Sequence, residues 1–173
     1  MIPGRATVVG SVVMTGPFAV QDGAERAQLT AFLDEYRSLL DAALDGLTEE
    51  QARRRLVPSR TTLLGLVLHA AFLETVWFGQ AVTGAPRAEL GIPESVEDSF
   101  EFGDDDTVAA VRARYREVCE RSRAAVAGLS LDDTVTGRGR PITVRWLHLQ
   151  VLRELAHHCG HADILREQVI AAG

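Results

Sequence analysis

An all-α domain, built as a four-helix bundle with an N-terminal arm, is the fold class that the 173-residue sequence predicts. Apolar residues recur at spacings of three and four along four long stretches. Glycine and proline cluster between those stretches and punctuate them. Strand-like alternation is confined to a few residues near the N-terminus and around Val135. Long amphipathic helices in one chain bury their stripes most simply against one another.

The elements follow in order. Residues 1–20 lack helical periodicity and contain Pro3, Gly4, Gly10, Gly16 and Pro17. Arg5 ahead of small apolar residues has the outline of a secretion signal. Gly10, Ser11, Thr15 and Gly16 break the apolar segment before a proper hydrophobic region forms. A poorly ordered arm is therefore expected over 1–22, with Met14 an alternative start to Met1, and the bundle over 23–173. From Gly23 the helical period brings Leu29, Phe32, Leu33, Tyr36, Leu39, Leu40, Ala43 and Leu47 to one side. Thr48-Glu-Glu-Gln51 is a capping box that opens a short helix ending near Leu56. After Pro58 and Ser59 a long apolar helix runs from Thr61 to Thr83, where Gly84 and Pro86 stop it. Residues 84–104 mix glycine, proline and acidic side chains, and are long enough to cross the bundle. A third long helix begins near Asp105 or Asp106 and carries Val108, Val111, Tyr115, Val118 and Val126 on its apolar side. A loop from Gly128, with a turn at 137–141, leads into a last helix from Thr143 to about Ile170.

Composition narrows the function classes. An apolar fraction of 46% and a mean hydropathy of +0.03 exclude wholesale disorder. No uninterrupted apolar run approaches the roughly 20 residues of a membrane span. Twenty-four acidic against 18 basic residues, a net charge of −6, argue against nucleic acid as the partner. Two cysteines are too few for a disulfide framework. A soluble, cytoplasmic protein is expected. All 18 basic residues are arginine, as GC-rich coding of the actinobacterial kind produces.

Chemistry enters where polar residues occupy apolar faces. At about 100° per residue, Glu154, His158 and His161 fall within roughly 60° of one another, on the stripe of Leu147, Val151 and Leu165. A buried carboxylate must be paired or ligate a metal, and an i, i+4 pair lets one helix offer two ligands to one ion. His69 lies in the most apolar helix, among Gly65, Leu66, Phe72, Leu73 and Val76. His69, Glu154 and His158 together would leave an open position on the ion, the layout of a catalytic zinc site. The bland alternatives stay open at this point: a satisfied core histidine, and a hydrogen-bonded Glu–His pair. His157 lies at the stripe's edge and could replace His158. His161 could be a fourth ligand, a hydrogen-bond partner of a ligand, or a proton shuttle. His148 is expected on the surface, and Glu74, about 140° from His69, at the solvent or rim. Cys159 reads as a buried, inert thiol, and Arg53-Arg54-Arg55 as a solvated helix end. Trp77, Phe100 and Phe102 are expected to be exposed aromatics that could make a homodimer contact.

RRRLVPSRTTLLGLVLHAAFLETVWF, followed much later by RELAHHCGHADILRE, resembles the DinB superfamily. Within it, the likeness is to the actinobacterial branch beside mycothiol-dependent maleylpyruvate isomerase, and it covers about residues 24–170. The resemblance implies an up-down-down-up four-helix bundle with a divalent metal in its core. It also implies His69 as the ligand from the second long helix, with Glu154 and His158 from the last. Glutamate at the first position of that pair resembles the isomerase-like and thiol-transferase members. His157 stands where relatives often carry arginine, which favours His158. The implied activity is a metal-dependent thiol S-transferase or isomerase, with mycothiol as co-substrate and a metal-bound thiolate attacking a small electrophile. Zinc is the expected metal, with nickel and iron as alternatives, and His161 is assigned as a base beside the ligands. The competing expectations are a non-catalytic metal- or ligand-binding bundle and, behind it, a metal-dependent hydrolase.

Overall fold

The computed structural model describes residues 15–172. The Met14 start and most of the expected arm lie outside the described residues. The rest of the arm, Gly16–Val20, is a turn of 3-10 helix packed against the first long helix. Helix α1 spans Glu25–Ala42, α2 Glu49–Arg53 and α3 Leu63–Glu74. The last of these continues through a π-helical segment, Thr75–Gln80, into the single turn α4, Ala81–Thr83. Helix α5 covers Val108–Val126 and α6 Val144–Ala171. The chain is an all-α bundle in which α6 packs along α1 and α3, and α3 packs on α5. A two-residue antiparallel pairing of Thr134–Val135 with Ile142–Thr143 makes the 137–141 turn a hairpin.

Threonine starts α2, α3, α5 and α6. Thr62, Thr107 and Thr143 accept from the backbone N–H groups of Gly65, Ala110 and Trp146, so each satisfies a donor that the first helical turn leaves without a partner. The capping box at α2 is complete: Gln51 N–H donates to Thr48 Oγ1 at 3.1 Å, and Thr48 N–H to Gln51 Oε1 at 3.0 Å.

Helix α3 is the centre of the molecule, with every residue from Leu63 to Glu74 buried. By length and composition Leu63–Thr83 would pass as a membrane span, yet 78% of its most apolar stretch is buried inside the fold, so it is the core helix. On α1 the buried positions are Leu33, Arg37 and Leu40, while Phe32 and Leu39 face solvent. An arginine in the middle of a core stripe needs a counter-charge, and it has one. Arg37 Nε and Nη2 donate to the two carboxylate oxygens of Glu74, each at 2.8 Å.

Three sequence expectations are corrected by this arrangement. Glu74 is 0% exposed rather than at the rim, because a helix surrounded on all sides has no outward face. His148 is buried rather than on the surface, with its ring edge-on to Phe78 and its Nδ1 2.8 Å from the Val144 carbonyl. Trp77, Phe100 and Phe102 are half-buried against the core, not exposed. Trp77 meets Trp146 edge-on, with the Arg138 guanidinium 4.6 Å from its ring centre.

Breaking one side of a buried, bidentate ion pair leaves an uncompensated charge in the core. Glu74→Ala is expected to lower unfolding free energy by about 3–5 kcal/mol. The double replacement Arg37→Met with Glu74→Leu, which removes both charges, should cost much less. Urea unfolding of the three proteins checks the ordering.

Candidate functional site

The site grows from His69 in the middle of α3. One turn before it, a Cβ on Gly65 would lie 2.7 Å from the Phe100 carbonyl oxygen. Glycine therefore lets the backbone of the 84–107 crossover rest directly on α3. The crossover's 3-10 turn, Glu97–Phe100, is seated there. It lays the Phe100 ring over the imidazole of His69, with centroids 4.1 Å apart and planes 13° from parallel. The same turn brings Ser99 Oγ to 2.7 Å from His69 Nδ1.

That contact fixes the tautomer. A serine hydroxyl has one proton, and Ser99 donates it to the Val96 carbonyl at 2.5 Å. Ser99 must then accept from His69, so Nδ1 carries the ring proton and Nε2 keeps its lone pair. A histidine held in this way by its distal nitrogen is oriented to act as a ligand or a base.

The His69 ring also meets α6. The rings of His69 and His158 stand edge to face with centroids 4.7 Å apart. Burial, and secondarily the neighbouring His158, pushes His69 down to about 3. Burial also pushes His158 down to about 4, against the opposing pull of Glu154 and with help from His161 and His157. Both rings are neutral at neutral pH. His158 Nε2 lies 3.9 Å from Glu154 Oε2, and its Nδ1 is buried with no hydrogen-bond partner. Glu154 is half-buried, and its other oxygen accepts from Gln150 Nε2 at 2.8 Å and Arg153 Nη2 at 2.5 Å.

The structure thus brings His69 and His158 together, with Glu154 Oε2 3.9 Å from His158 Nε2. Among the described residues, no three His, Cys, Asp or Glu side chains are gathered closely enough to hold an ion as they stand. The chemistry of the donors nevertheless suits a divalent cation. Two neutral imidazoles, one with its lone pair presented and one with an orphaned buried nitrogen, stand beside a carboxylate. Imidazole nitrogens about 2.0–2.1 Å from a tetrahedral ion put two ring centres roughly 5 Å apart, close to the spacing seen. His161 and His157 are exposed and lie next to each other, with ring centroids at 4.3 Å. The His161 ring is 5.7 Å from that of His158. Cys159 is buried, as its sequence position suggested, and burial pushes its thiol up to about 12.

Sequence reasoning missed Gly65 and Ser99 as parts of the site, and placed Phe100 on a free surface. No local pattern could have signalled them, because Ser99 and His69 are 30 residues apart in the chain.

The sequence model of one protein family, described as Mycothiol-S-transferase, matches residues 28–171. The chain belongs to that family. It is thus a DinB-like protein of the branch its sequence resembles, and a thiol S-transferase by family. The matched region runs from α1 to the end of α6 and includes His69, Glu154 and His158. The comparison with individually curated proteins returned no match.

The lowered pKa values fix the sign of a pH effect. In the unfolded chain each histidine takes a proton near its ordinary value of 6.5, whereas folded His69 and His158 resist it down to about 3 and 4. Between those limits the unfolded state binds more protons, so stability falls as pH falls. Chelator-treated protein is expected to hold its urea midpoint above about pH 6.5 and lose it progressively towards pH 4. A series of urea titrations from pH 7.5 to 4.5 measures this. Replacing both His69 and His158 by apolar residues should flatten the dependence.

Proposed function

We propose that the chain joins the thiol of mycothiol to a small electrophile, or isomerises such a compound by adding and releasing the thiol. A divalent metal, zinc in our reading, would be held by His69, Glu154 and His158. The observation that carries this reading is the pair of neutral, buried imidazoles at 4.7 Å, one of them held by Ser99 in the tautomer that presents Nε2. When bound, such an ion lowers the pKa of a thiol so that the sulfur reacts as a thiolate.

The chain's own residues supply the rest. Ser99 holds His69 by its Nδ1 proton, and Phe100 covers the ring face and excludes water from it. Gln150 and Arg153 hold Glu154 by one oxygen, which leaves Oε2 on the side of His158. Glu154 contributes negative charge to the site while staying accessible from solvent. His161, exposed beside the pair, takes the proton that the thiol gives up and can return it to the product. Mycothiol as co-substrate implies the reducing cytoplasm, which agrees with two buried cysteines that form no disulfide.

The reading with the next claim is a ligand-binding bundle without turnover. The turning of Glu154 towards Gln150 and Arg153 is the observation in its favour.

Elemental analysis of the purified protein tests the proposal. About one zinc per chain is expected, retained through dialysis and lost in His69→Ala and Glu154→Ala. Added mycothiol should raise the melting temperature of the zinc form and leave that of both variants unchanged. Failure to bind zinc after incubation would remove the metal from the reading and leave a hydrogen-bonded histidine cluster in a structural bundle.

A further inference from the structure

Beside the histidines, between the α2–α3 connection and the C-terminal half of α6, lies a cavity of about 310 Å³. That is at the lower end of the range for small-molecule sites, roughly 300–1,000 Å³. Val57, Ile164 and Leu165 line it with hydrocarbon, and Ser59, Thr61, His161 and Gln168 provide its polar edge. Ser59 Oγ donates to Thr61 Oγ1 at 3.0 Å, so these two hydroxyls are engaged with each other. Ile164 is 58% exposed, a large apolar side chain left facing water next to a polar cluster. His161 belongs to both places: it lines the cavity, and its ring is 5.7 Å from that of His158.

A substrate whose reactive carbon sits at His69 and His158 has this cavity within reach of the rest of its skeleton. An alkyl chain there would cover Ile164 and meet Val57 and Leu165. We propose that the cavity holds the apolar body of the electrophile, so that the substrate class is an alkyl-substituted compound with a terminal reactive carbon, such as a 1,2-epoxyalkane. This rests on the thiol-transfer reading above. In the reaction the thiol sulfur bonds to the terminal epoxide carbon, and that carbon's bond to oxygen breaks. The electron pair stays on the oxygen, which takes up the proton released by the thiol and held at His161. The product is a β-hydroxy thioether, and nothing is oxidised or reduced.

Two measurements test this on the full-length, zinc-loaded protein. The first compares kcat/KM with mycothiol for 1,2-epoxypropane and 1,2-epoxyhexane. Each buried methylene is worth up to about fourfold, so the longer epoxide should be favoured by more than about tenfold. Ile164→Ser should collapse that ratio, while Ile170→Ser, a replacement of an exposed residue on the same helix that does not line the cavity, should keep it. The second follows the NMR signals of the Ile164 methyl groups and the His161 ring during titration with unreactive 1,2-propanediol and 1,2-hexanediol. The hexanediol should shift both at lower concentration.

Turnover and binding that do not depend on chain length, or a ratio that survives Ile164→Ser, would overturn the assignment of the cavity and leave thiol transfer standing. Length-dependent binding at Ile164 with no turnover of any epoxide would support the cavity and count against thiol transfer to this class of electrophile.

Discussion

Helix α3 has no solvent face, since all 12 of its residues are buried, and the polar chemistry of the molecule follows from that constraint. A polar side chain on such a helix cannot be turned outward and must find its partner on a neighbouring element. Glu74 finds Arg37 on α1, His69 finds Ser99 on the crossover, and Thr62 caps the helix with its own hydroxyl. Each contact joins α3 to a different part of the chain or closes its end. The two long-range contacts therefore help set where α1 and the crossover must lie. The crossover in turn rests on α3 at Gly65 and delivers Phe100 and Ser99 to His69.

The same low-dielectric interior treats its two polar clusters differently. Arg37 and Glu74 form a bidentate pair in which each group has an opposite one at hydrogen-bond distance. His69 and His158 face each other, and a proton on one would disfavour a proton on the other. The first cluster is a closed pair with little capacity left for a ligand. The second has neutral imidazoles and leaves His158 Nδ1 without a hydrogen-bond partner near a half-buried carboxylate, which is the feature the proposed cation site rests on. The π-helical segment directly after Glu74 rotates the following residues relative to a regular helix. Within that segment Phe78 packs against His148, and Trp77 against Trp146.

Much of this was legible in the sequence because helical periodicity records burial directly. The long helices, the Thr48 capping box and the crossover were all readable from spacing and from glycine and proline. Glu154 and His158 could be paired from spacing because both lie on one helix. His69 stood out as a lone imidazole in an apolar segment. Glu74 and His148 were misread for one reason: a helical wheel gives an angle, and converting the angle to exposure assumes that the far side of a helix meets water. Around α3 that assumption fails, and it fails again at the start of α6, where His148 packs against Phe78. Ser99, Phe100 and Gly65 were beyond reach for another reason. Their roles come from a close backbone approach between segments some thirty residues apart, as the Ser99–His69 contact shows, and such an approach leaves no local periodic trace.

The central claim is that the crossover fixes His69 with its proton on Nδ1 and its lone pair on Nε2, beside His158. A long-range ¹H–¹⁵N correlation spectrum of the imidazoles in metal-free protein at neutral pH tests it most directly, since the protonated and unprotonated ring nitrogens resonate far apart. The account predicts that His69 carries its proton on Nδ1, with Nε2 unprotonated, and that Ser99→Ala abolishes that preference. A His69 protonated on Nε2 would contradict it, because Nε2 would then be a donor with no lone pair to offer.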